Sequence, residues 1–139
     1  MEAMLCRWTV LFVASPRLLA SLDPFWADVD VEEWSGRFEW EQDDFNGLID
    51  VSAGPFETYC RERGDCVDYA TVVVSWTIAH NRSDVGIGVC GYNTRAVPIP
   101  RHVIAYDHER TYSSGVIREG TPDDYLRDSK YDWILTRTV

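Results

Sequence analysis

The chain has 139 residues, 23 of them acidic against 13 basic, for a formal net charge of -10. That balance excludes a nucleic-acid-binding surface, which requires clustered positive charge. With 45% hydrophobic and 13% aromatic residues it also excludes disorder over most of the length, and one domain with one core fits the size.

Lys130 is the only lysine. An acid-rich, arginine-tolerant and nearly lysine-free composition resembles that of proteins from salt-accumulating halophiles, where concentrated salt screens the self-repulsion. The four cysteines, Cys6, Cys60, Cys66 and Cys90, include no CxxC pair and no zinc-knuckle spacing. They read as reduced thiols in a cytoplasmic compartment, with no metal and no cofactor implied.

Near the start lies an apolar patch, Trp8 to Ala14, preceded by Arg7 and closed by Pro16-Arg17. It is too short for a bilayer span and lacks the basic start of an export signal, so it reads as a buried strand or short helix. Ser15 and Pro16 look like the cap and first residue of a helix that carries Leu18, Leu19 and Leu22 and ends at Asp23-Pro24. The acidic stretch from Phe25 to Asp50 holds Trp26, Trp34, Phe38, Trp40 and Phe45, which read as a layer covering the core. Within it, residues 37–41 alternate as a half-buried strand does. Turn signals at Asn46-Gly47 and Ala53-Gly54 flank Leu48-Ile49.

Pro55 opens a helix that runs from Phe56 to about Arg63, with Gly64 as its C-cap. Asp65 then caps a second helix that places Cys66 at its first position and runs to about His80. Val67, Tyr69, Ala70, Val72, Val73, Val74, Trp76 and Ile78 leave this helix almost no polar face, so it belongs inside the protein. Strands follow over Val85–Tyr92, Arg101–Asp107 and Thr111–Ile117, the last two joined as a hairpin through His108-Glu109-Arg110. Asn93 to Pro100 reads as a loop, Pro122 to Ser129 as a polar segment, and Tyr131 to Leu135 as a closing strand.

A thiol is a useful nucleophile when its thiolate is populated, and the N–H groups and dipole at a helix start favour that anion. Cys66 has the helix start; Asp65 and Asp68 oppose the effect and Arg61 and Arg63 support it. His102, opening a strand after a proline-bounded loop, is the candidate base. His80 lies at the far end of the helix, about 20 Å away at 1.5 Å per residue, and His108 sits in a turn.

The order Gly64-x-Cys66-x-Asp68-Tyr69-Ala70, a buried helix, a strand ending in Gly91-Tyr92, then His102 opening a hairpin resembles the transglutaminase-like cysteine peptidase superfamily over about residues 54–117. The resemblance implies an α+β, papain-like fold, with the cysteine helix packed on an antiparallel β-sheet. It implies a core of residues 54–139 covered by residues 1–53, and amide cleavage or transfer on a protein or peptide substrate through a Cys66 thioester with His102 as base. The family places an aspartate on the strand after the histidine; here Ser113 and Ser114 stand there instead. A hairpin centred near Glu109 sets His102 opposite Val116, with Ser114 as its same-face diagonal neighbour and Ser113 on the other face. Asn93 is a remote substitute. The backbone N–H of Cys66 and a donor near Tyr59 would form the oxyanion hole, with Asp65 and Tyr69 beside the substrate. Two alternatives stand next to this reading. One is a catalytically silent protein-binding domain of the same fold. The other is an NlpC/P60-type peptidoglycan hydrolase, which lacks here its usual Gly-Asp strand.

Overall fold

The computed structural model describes residues 20–41 and 54–139. The apolar patch at Trp8–Ala14, the helix start at Ser15-Pro16, Phe45 and the turn at Asn46-Gly47 lie outside the described residues. Among the described residues, four α-helices and a five-stranded antiparallel sheet make up a mixed α+β architecture. No helix among the described residues is long and apolar enough to cross a membrane.

Asp23-Pro24 starts an element, and residues 20–23 before it are not helical. The Asp23 carboxylate accepts a hydrogen bond from Phe25 N, and Pro24–Asp28 forms a 3-10 helix, leaving Leu22 exposed. Helix α1 spans Val31–Arg37, capped by Asp30, so the alternation at residues 37–41 yields only a two-residue strand, β1, Glu39–Trp40. The aromatic layer is real for Trp26, Trp34 and Phe38, which are buried, whereas Trp40 is exposed.

Helix α2, Pro55–Arg61, stops earlier than the sequence suggests. Its C-cap is Glu62 at φ 58°, not Gly64, and Arg63–Gly64 forms β2, paired in parallel with β1. Gly64 is needed for a different reason: a Cβ there would meet the Asp68 side chain at 2.8 Å.

Helix α3, Cys66–Ala79, is the centre of the fold. Asp65 accepts from Asp68 N at 2.9 Å while Asp68 accepts from Asp65 N at 3.1 Å, a reciprocal capping box that pins the helix start. Val72, Val73 and Val74 are fully buried. Each loses about 0.5 kcal/mol of helix propensity against alanine. Burial returns about 1.5–3 kcal/mol per side chain, so packing decides for helix. The helix lies on the sheet and against α2. Trp76 Nε1 donates to Val29 O at 2.9 Å, tying α3 to the segment before α1.

The sheet order is β6-β5-β4-β3-β7, with β3 at Gly86–Asn93, β4 at Pro98–Tyr106, β5 at Arg110–Ser113, β6 at Val116–Glu119 and β7 at Trp133–Thr138. Strand β4 starts before the expected loop has ended. Pro98 and Pro100 pair with Asn93 and Gly91, while β5 pairs with β4 only at Ala105 and Tyr106. Among the described residues no strand pairs with the other side of β4 at the prolines, where their missing N–H groups would point. The expected third strand is in fact two, turned at Ser114-Gly115, where φ is 43° and 93°. Such consecutive positive φ values are what a two-residue hairpin turn requires. The polar segment is a helix, α4, Pro122–Asp128, with its own capping box between Thr121 and Asp124.

Candidate active site

The β4–β5 hairpin pairs Ala105 with Tyr112 and Tyr106 with Thr111. This register differs by one residue from one centred on Glu109, and a one-residue shift exchanges the faces. Ser113, not Ser114, therefore meets the histidine: His102 Nε2 and Ser113 Oγ are 2.7 Å apart. Ser114 is spent on the β5–β6 turn, and its buried Oγ has no hydrogen-bond partner among the described residues. Behind Ser113 stands the Tyr125 hydroxyl of α4 at 3.1 Å, and the ring of Tyr131 stacks on His102 at 5.7 Å and 10°. Neither tyrosine follows from local pattern, because α4 and the segment before β7 reach His102 only through the tertiary fold.

Cys66 is buried, 6% exposed. Its sulfur feels the backbone N–H of Val103, the residue next to His102 on β4, so helix start and histidine strand meet here. Among the described residues no hydrogen bond joins the thiol to His102. The side chain of Cys90 shares a face with His102, its direct partner across β3 and β4. Cys60, Cys66 and Cys90 are free thiols.

The electrostatics keep the Cys66 thiol and the His102 imidazole neutral. Burial pushes the Cys66 thiol up to about 12, and the Asp65 and Asp68 carboxylates push in the same direction. The N–H groups of Val103 and of Cys66 itself pull back only in part. Burial also lowers His102 to about 4, helped by the positive charge of Lys130. A serine hydroxyl orients imidazole but cannot stabilise imidazolium as a carboxylate does. The resting state is therefore thiol and neutral imidazole, with Nδ1 left for exchange once Nε2 is engaged by Ser113.

The remaining candidates are engaged in contacts of their own. Asp65 is the helix cap. Tyr69 is fully buried, its hydroxyl 2.8 Å from Ser35 Oγ and its ring stacked on Trp34 at 5.5 Å. Tyr59 packs among Trp26, Trp34 and Phe25, and its carbonyl accepts from Trp34 Nε1 at 3.0 Å. Asn93 N donates to Asp132 at 2.7 Å, fixing the end of β3 to the segment before β7. Asp107 turns away from His102 into a buried network with Arg82 and Tyr112.

A cleft of about 290 Å³ opens at His102 and Ser113, with Arg118, Asp128, Lys130 and Tyr131 among its lining. The sequence signal that marks this side is Lys130 itself, the single lysine of an acidic chain. No protein-family model matches the chain, and no curated protein or solved structure matches it either.

Proposed function

We propose that Cys66 and His102 form a thiol acyl-transfer site of the transglutaminase-like, papain-like kind, acting on amide bonds of a protein or peptide. The observation that carries this reading is the His102 Nε2 to Ser113 Oγ hydrogen bond beside a helix-start thiol that reaches the next residue of the same strand. A nucleophile at a helix start, a base on the neighbouring strand and a group that orients that base are the three parts nucleophilic catalysis requires, which supports this reading.

In the forward step Sγ of Cys66 attacks the amide carbonyl carbon as its proton passes to Nδ1 of His102. The oxyanion is held by the backbone N–H of Cys66 at the start of α3. The C–N bond then breaks, His102 returns the proton to the leaving amine, and a thioester remains on Cys66. Water, or a second amine, attacks the thioester while His102 takes its proton, and the thiol is released with that proton restored. Among the described residues no carboxylate stands behind His102, so the imidazolium formed in each half is supported by the hydroxyl of Ser113, which in turn meets that of Tyr125.

A second reading, a catalytically silent binding domain of the same architecture, is favoured by one observation: the thiol is closed from solvent and held near 12. A peptide vinyl sulfone, followed by mass spectrometry at Cys66, separates the two. Catalysis predicts Cys66 labelling faster in the native protein than in the urea-unfolded one, and at least about tenfold slower in His102→Ala, the low end for loss of a general base. Labelling slower than in the unfolded chain and insensitive to His102→Ala supports the silent domain.

A further inference from the structure

We propose that the cleft beside His102 recognises a carboxylate of its peptide ligand, bound between Lys130 and Arg118. The proposal rests on reading this cleft as the substrate side of the Cys66–His102 site. In a chain of net charge -10 the surface repels anions, so a local excess of cation has a cost that structure alone does not require. The only lysine lies here, together with Arg118 of β6. Most other arginines are spent on ion pairs: Arg37, Arg61, Arg63, Arg82, Arg110 and Arg127 each meet an acidic partner. Among the described residues Lys130 and Arg118 meet none, although both are exposed and long enough to reach one.

The acid at the rim does not cancel them. Asp128 faces Arg127 Nε at 3.6 Å, so its charge is partly neutralised within α4. The positive charge of Lys130 is felt at His102, which places an anion bound to Lys130 close to the reacting groups. The hydroxyls of Ser113 and Tyr125 supply neutral donors at the inner end, and the Tyr131 ring supplies a flat wall. At about 290 Å³ the cleft is at the small end of ligand pockets, a volume suited to one acidic side chain or a chain end rather than to an extended cofactor.

The test is binding to the full chain carrying Cys66→Ala, which cannot turn over, by calorimetric titration at low salt. Three probes are compared: acetyl-Ala-Glu-Ala-amide, acetyl-Ala-Gln-Ala-amide, and acetyl-Ala-Gln-Ala with a free C-terminal carboxylate. The proposal predicts that at least one carboxylate peptide binds about tenfold tighter than the neutral one, the size of a charge-assisted hydrogen bond. Which of the two it is tells a side-chain carboxylate from a chain end. The preference falls about tenfold in Lys130→Gln with Arg118→Gln and survives in Lys130→Arg. Equal binding of all three peptides, no binding of any, or a preference that persists in the double glutamine variant overturns it. Because no chemistry is read, such a failure leaves the vinyl sulfone result standing. Conversely, an inert Cys66 with intact carboxylate preference would overturn the catalytic reading alone.

Discussion

Nε2 of His102 and Oγ of Ser113 stand 2.7 Å apart, a hydroxyl in the place from which a carboxylate would hold a proton on the ring. The consequence is electrostatic. Burial and Lys130 bring His102 to about 4, and among the described residues no carboxylate is hydrogen-bonded to its ring. The thiol and the imidazole are neutral together over the whole physiological range.

This state has a stability signature. His102 titrates at about 4 when folded and near 6.5 when unfolded, so between those values the unfolded chain binds the extra proton. Its neutral burial costs nothing above pH 6.5, and stability falls as pH drops from 6.5 through 4, by about 3 kcal/mol in all at 1.36 kcal/mol per pH unit. Urea titrations of wild type and His102→Gln at pH 7 and pH 4 check this: the variant, which keeps a polar group for Ser113, should lose less on acidification.

Asp107 supplies the opposite case. Burial alone would raise its carboxyl, but hydrogen bonds from Arg82, from Tyr112 and from the N–H groups of Glu109 and Arg110 outweigh it and hold it below the usual carboxylate range. Its contribution is present above the ordinary carboxylate value and is lost as pH falls through the lowered one. Asp107→Ala leaves the buried Tyr112 hydroxyl without its acceptor and, among the described residues, leaves Arg82 with only Glu109 as an acidic partner, at 3.4 Å. We expect a loss of about 1–3 kcal/mol in urea unfolding at pH 7, the usual cost of leaving a buried polar group unsatisfied.

The capping box and thiol reactivity are linked through one carboxylate. Asp65 accepts the N–H of Asp68 and at the same time pushes Cys66 up. Asn caps as well as Asp, so Asp65→Asn should change stability by under about 1 kcal/mol while lowering the thiol pKa. Iodoacetamide labelling of Cys66 at pH 9 should then be faster than in wild type, with an unchanged thermal midpoint within a few degrees. Asp65→Ala separates the effects by losing the cap as well, at a cost of about 1 kcal/mol.

Much of this arrangement was legible locally. The cap at Asp65, the start of α3 at Cys66 and its burial all follow from short-range pattern, because capping and apolar density act within a few residues. The β4–β5 hairpin was legible too, but its register was not. Whether His102 meets Ser113 or Ser114 depends on one residue in the turn near His108, and both serines suit either face. The Ser114-Gly115 turn and the Thr121-to-Asp124 capping box left readable signals that a run of strand-like residues and a polar composition obscured. Tyr125 and Tyr131 had no local signal for the site, and Lys130 was marked only by being the single lysine. They arrive there because β7 returns to pair with β3, bringing the preceding segment across the end of the sheet.

The most direct measurement is the His102 titration, followed by NMR of the imidazole carbons, in wild type and in Ser113→Asp. A carboxylate 3 Å from Nε2 favours the charged ring, by one to three pKa units for a close opposite charge. Wild-type His102 should titrate at about 4, and Ser113→Asp should move it upward by at least about one unit while accelerating alkylation of Cys66 at pH 7. A wild-type His102 already titrating above 6.5, or a Ser113→Asp protein with no upward shift, would contradict this.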